Sequence, residues 1–205
     1  MKGWKLLLIA AALVALPALA QAAPPPDGSY LAKGKTPAVF CQGKYALCIK
    51  AKCLTIPTGQ AAFWGACSCD VVDGISMGPA SCEARKPYVK DGVTVLMSTY
   101  SNDYNTKHKT MTCDNDETKW AWCYGAPCAV NPDNPAQAIC NCPLRRSTMS
   151  TLGGECGNAG GGCDGLWSAA RPAADKAANV YFYEYVSKHY PGYPVSKPAE
   201  YCSAK

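Results

Sequence analysis

Fourteen cysteines in a chain of 205 residues constrain this fold more than any other feature, because their spacing repeats. Cys41, Cys48, Cys53, Cys67, Cys69 and Cys82 are followed by Cys113, Cys123, Cys128, Cys140, Cys142 and Cys156, each counterpart 72 to 75 residues downstream. The intervening residues agree as well. Tyr45-Ala46-Leu47-Cys48 and Ala51-Lys52-Cys53 align with Trp120-Ala121-Trp122-Cys123 and Ala126-Pro127-Cys128, Pro57 aligns with Pro132, and a C-x-C pair follows in both halves. The pattern predicts two tandem six-cysteine modules, over residues 37–104 and 105–170. A repeat of this length exceeds the roughly 20–50 residues of a solenoid unit, so each copy reads as a small domain.

The oxidation state follows from the N-terminus. Lys2 and Lys5 precede an uncharged apolar run that closes on Ala18-Leu19-Ala20 and Ala20-Gln21-Ala22, the charge, core and small-residue order of a cleaved secretory signal over 1–22. The run is interrupted by Pro17 and is shorter than the roughly 20 apolar residues that span a bilayer, so no stable membrane insertion is expected after cleavage. A secreted or periplasmic protein with an even cysteine count is expected to hold them as disulfides. Residues 23–36, rich in proline and small residues, read as a disordered arm.

The expected fold class is mostly β and disulfide-rich, two modules with long loops plus a C-terminal helix. Residues 61–72, 136–144 and 93–97 carry strand patterning. The length variation between the copies, at 42–44 and 114–119, predicts hairpin turns. Residues 171–205 predict a helix from Pro172, since proline suits the first turn, ended by Pro191-Gly192. Residues of an extended C-x-C lie on one face about 6–7 Å apart with parallel Cβ directions, so they should not pair with each other. Three bridges per module are then expected, leaving Cys163 and Cys202 to pair and tie down the tail.

Other chemistry has weak support. Gly74-Ile75-Ser76-Met77-Gly78 matches the nucleophile elbow of α/β-hydrolases but lacks the parallel sheet that motif needs, and reads as a glycine-bearing loop. A metal site on the C-x-C pairs with His108 or His189 would need thiolates that oxidation removes. Asp114, Asp116 and Glu117 lack the spaced ligands of a calcium loop. No cofactor or metal is expected. Removal of Lys2 and Lys5 leaves a formal charge of only +3, with no basic stripe for nucleic acid.

Twelve tyrosines and five tryptophans against three phenylalanines favour rings with a polar edge, which suit contact surfaces. Trp120, Trp122 and Tyr124 alternate along a predicted strand and form the candidate binding surface, with burial beside Cys123 as the competing expectation. The functional expectation is an exported, disulfide-stabilised binding or structural module, with a protein or cell-envelope polymer as partner. The alternatives are a small secreted hydrolase using Ser76 or paired acids near the hairpin tips, or a protease-inhibitor or toxin-like scaffold.

Overall fold

The computed structural model describes residues 38–56, 63–102, 109–154, 156, 162–198 and 200–204. The expected signal segment at 1–22, the expected arm at 23–36 and His108 lie outside them. Twelve strands and one α-helix occur among the described residues: β1 (Val39–Leu47), β2 (Cys53–Thr55), β3 (Trp64–Gly78), β4 (Tyr88–Lys90), β5 (Val93–Thr99), β6 (Thr110–Cys113), β7 (Lys119–Ala121), β8 (Pro127–Val130), β9 (Gln137–Arg146), β10 (Met149–Thr151), β11 (Trp167–Ser168), α1 (Pro172–His189) and β12 (Tyr201–Ser203). The protein is mostly β and disulfide-rich, with its helix near the C-terminus.

Nine strands form one sheet in the order β11-β7-β9-β8-β5-β1-β3-β2, with β4 added on β5. A further pairing of β3 with β9 closes β9, β8, β5, β1 and β3 into a ring. A separate three-stranded sheet, β10-β6-β12, carries the chain's end. Strands from residues 37–104 and from 105–170 therefore share hydrogen bonds within one sheet.

The aligned motifs produce the same local geometry. In one, the Cys48 carbonyl accepts from Ala51 N–H at 2.7 Å; in the other, Cys123 accepts from Ala126 N–H at 2.9 Å. Each turn sends the next cysteine back onto a long strand, where Cys53 lies opposite Cys67 and Cys128 opposite Cys140. Those directly opposed pairs are disulfides, with Cα separations of 4.0 and 4.2 Å. The second cysteine of each C-x-C takes the remaining inner partner, giving Cys48–Cys69 and Cys123–Cys142. Because Cys67 also faces Cys140 across β3 and β9, half-cystines at 53, 67, 140 and 128 run in one row across four strands.

This row explains how the fold manages with few large aliphatic side chains. The central core is made of Cys48, Cys53, Cys67, Cys69, Cys123, Cys128, Cys140 and Cys142 with Ala46, Ala121, Ala138 and Leu96. Sulfur atoms fill the volume elsewhere taken by leucine and isoleucine, and the Cys48 and Cys140 sulfurs of two different bridges touch at 3.3 Å. Small side chains between them let the strands close tightly, as a packed interior requires.

Three expectations are corrected. Cys163 does not pair with Cys202: the outer bridges are Cys41–Cys82, Cys113–Cys163 and Cys156–Cys202. Cys113 on β6 joins Cys163, while Cys156 takes Cys202 on β12, the strand beside β6 in the small sheet. Residues 42–44 are not a hairpin turn but the middle of β1, paired with 73–75 of β3. Residues 114–118 do make a turn, yet β6 and β7 belong to different sheets. Finally, residues 74–78 are no loop; they complete the 15-residue strand β3.

Helix α1 starts as expected, with Pro172 in its first turn and Arg171 extended before it. It buries Ala174, Ala178, Phe182 and Val186, a stripe at four-residue spacing, against Ile75, Met77 and Tyr100 of the sheet. The β-favouring tyrosines do not divert it, because Tyr181, Tyr185 and His189 stack along one face at i, i+4 spacing. Phe40 of β1 stacks on Tyr185 at 3.8 Å between ring centroids, fixing the helix across the sheet.

Candidate functional site

Where α1 crosses the sheet, the alanines of its buried stripe leave room for a cleft. Its open volume is about 60 Å³, and its walls include Tyr100, Trp122, Tyr124, Ala174, Asp175 and Ala178. The tertiary fold assembles it from six places: the turn after β1, the end of β3, the end of β5, the loop after β7, the end of β11 with the two residues that follow it, and the first turns of the helix. Trp122 and Tyr124 meet at 5.8 Å between centroids.

Asp175 gives the cleft its chemical character. The residue is only 2 % exposed, and among the described residues the hydrogen bond to its carboxylate comes from Tyr201 Oη, at 2.7 Å to Oδ2. Burial raises the Asp175 pKa from 3.8 to about 6, against the opposing pull of the Tyr201 hydrogen bond. Tyr201 is itself shifted upward, by burial and then by the neighbouring carboxylate. Burial likewise raises Tyr100 well above its ordinary value, and Asp175 adds to the effect. No cation among the described residues pairs with Asp175, and the flanking helix residues Arg171 and Lys176 are exposed. The indole N–H of Trp122 is buried with no acceptor among the described residues.

An adjoining cavity of about 60 Å³ shares Thr99 with the cleft and is lined by Ser76, Cys82 and Arg85. Arg85 is 6 % exposed and donates from Nη2 to the Val39 carbonyl at 2.7 Å, while Nε and Nη1 have no acceptor among the described residues. It lies against Gly78, where an added Cβ would meet Nη1 and would come within 2.8 Å of Thr99 Cγ2. Burial lowers the Arg85 pKa, and the Tyr124 phenol opposes that shift. Tyr124 in turn is raised to about 12 by burial, with Arg85 pulling it back.

The structure separates the three aromatics singled out from the sequence. Trp120 is 2 % exposed and donates its indole N–H to Ser147 Oγ at 3.1 Å, a core role. Trp122 and Tyr124 reach the cleft wall. The large apolar side chains that stand in solvent are others, among them Leu54 at 73 % and Phe63 at 74 %. Sequence reasoning missed Asp175 altogether, since an acid in the first turn of a helix is ordinary helix chemistry. Only the return of β12 onto β6 brings Tyr201 against it.

Ser76 sits mid-strand opposite Cys41 at 4 % exposure, without the strand-to-helix turn of a nucleophile elbow. His189 packs on Tyr185 at the end of α1. Sulfur triplets within ligand distance of one another do occur, Cys48, Cys69 and Cys140 being one, but these atoms belong to disulfides and no described cysteine is free. Glu117 pairs with Arg146 at 2.9 Å on the surface. No helix among the described residues is long and apolar enough to cross a membrane. Comparison with family models, curated proteins and solved structures finds no match to the chain.

Proposed function

We propose that the protein is an exported, non-enzymatic binding module, two tandem copies of one cysteine framework fused through β3 and β9, and that it takes its ligand in the cleft between sheet and helix. The observation that carries this reading is a preformed aromatic-walled cleft in which Asp175 is the buried carboxylate, beside a core held by four disulfides. Binding sites of small ligands have this make-up, mostly apolar walls with a few placed polar groups. Cross-links on the strands behind the cleft keep its shape without ligand, which lowers the ordering cost of binding. Seven disulfides and no free described cysteine suit an oxidising compartment, either secreted or periplasmic. The partner would be a small ligand, or a segment of a protein or envelope polymer that inserts a side group.

The hydrolase reading gains nothing from the surroundings of Ser76, a residue locked in a sheet. The test is a thermal-shift panel of small organic ligands and envelope oligomers on the oxidised full chain, with Ala174→Leu filling the cleft. Saturable shifts that disappear in the filled variant support the reading. A panel without shifts, or shifts that survive the filling, overturns it.

A further inference from the structure

We propose that the cleft recognises a primary ammonium group, with the Asp175 carboxylate as its counter-charge and the faces of Tyr100, Trp122 and Tyr124 around it. This rests on the binding reading above and names the ligand class it leaves open. An ionised carboxylate in an apolar setting is held at high cost unless a cation or several donors face it. Here one phenol donates to Oδ2, and no described cation supplies the remainder. Aromatic faces attract a cation through their negative quadrupoles, most strongly when the cation is desolvated. A carboxylate combined with such faces is therefore selective for a positive group over a neutral one of the same size.

Size and charge distribution point the same way. An open volume of about 60 Å³ admits a head group and its first methylenes, not a bulky molecule. The alanine side of the wall, Ala169, Ala170, Ala174 and Ala178, presents methyl groups suited to an alkyl stem. The buried guanidinium of Arg85 acts on Tyr124 and not on Asp175, so the carboxylate end of the cleft keeps its negative character despite the chain's net charge of +5. The ammonium could belong to a free alkylamine or to the lysine side chain of a partner protein, since both offer the same head group.

The test uses the oxidised full chain at pH 7.5, following tryptophan fluorescence and heat of binding with four probes: n-butylamine, n-butanol, butyrate and Nα-acetyl-lysine methylamide. Saturable binding of n-butylamine, at least tenfold tighter than n-butanol and with butyrate excluded, is the expected result. Asp175→Asn should weaken the amine at least tenfold and leave n-butanol unchanged. Binding of the lysine probe as well assigns the site to a protein partner, and its exclusion assigns it to free amines; both outcomes sustain the ammonium class. Equal binding of n-butylamine and n-butanol to the unmodified protein overturns the ammonium proposal while the cleft remains a binding site. Failure of every probe overturns this proposal as well, and the wider ligand panel then decides whether the cleft binds at all. The comparison among probes needs no variant, so it stands whether or not Asp175→Asn folds.

Discussion

Replacing Asp175 by asparagine isolates one titration from all others, because every other ionisable group is common to the two proteins. In the folded chain the carboxyl is raised from 3.8 to about 6, chiefly by burial, while in the unfolded chain it returns to the ordinary value. At 1.36 kcal/mol for each tenfold change in proton affinity, folding therefore loses about 3 kcal/mol when the group must ionise. The sign follows from proton uptake: between about pH 4 and pH 6 the folded state binds the proton and the unfolded state does not, so stability falls as pH rises. Below about pH 4 both states are protonated, and above about pH 6 both are ionised and the deficit is constant. The groups facing Asp175 do not reverse this, since Tyr201 and Tyr100 are both shifted upward and stay neutral over that range. Urea unfolding of wild type and Asp175→Asn at intervals from pH 4 to pH 8 should show the wild type losing about 3 kcal/mol relative to the variant, about 6–12 °C in melting temperature for a chain of this size. A difference that stays constant across that range, or one in which the wild type gains with rising pH, refutes the assignment of Asp175 as a buried, unpaired carboxyl.

Gly78→Ala should destabilise by about 1–3 kcal/mol in urea titration, because its methyl meets Arg85 Nη1 and Thr99 Cγ2 in a filled space; an unchanged midpoint would show that Arg85 moves aside freely. Phe182→Ala removes the largest buried side chain of the helix and should cost about 3–5 kcal/mol, read as a melting shift. Joint replacement of Cys156 and Cys202 by alanine opens a closure of 46 residues, for which a chain-entropy estimate is about 4 kcal/mol. Hydrogen exchange of the β12 amides should quicken in that variant, and peptide mapping of the unreduced parent should recover Cys156 joined to Cys202.

Much of the inner framework was readable from spacing. The C-x-C pairs place two sulfurs on one face of a strand and so direct them to different partners, as Cys67 and Cys69 do with Cys53 and Cys48. The Cys-x-x-Ala-x-Cys spacing is that of a tight turn, seen at 48–53 and again at 123–128. Helix α1 was also readable, because Pro172 and the alanines after it act within a few residues. The hairpin expected at 42–44 failed for a physical reason: Gly43, at φ +141°, is accommodated within a continuous strand whose register is held by nine pairs with β3. The binding residues were half visible. Trp122 and Tyr124 stood out as alternating aromatics, but whether such rings face a core or a cleft depends on what packs across them.

Local spacing and oxidation chemistry thus suffice for the mostly β fold class, for the C-x-C cysteines taking separate partners and for the terminal helix, since each depends on turns and alternation acting over short stretches, while the choice among the connectivities of each six-cysteine set was left to the tertiary fold. Partners 41 to 50 residues apart are chosen differently. Cys113 joins Cys163 from β6 of the small sheet, and Asp175 meets Tyr201 where the tail returns beside β6. Those encounters are set by which surfaces bury each other in three dimensions, a competition that no window of neighbouring residues encodes.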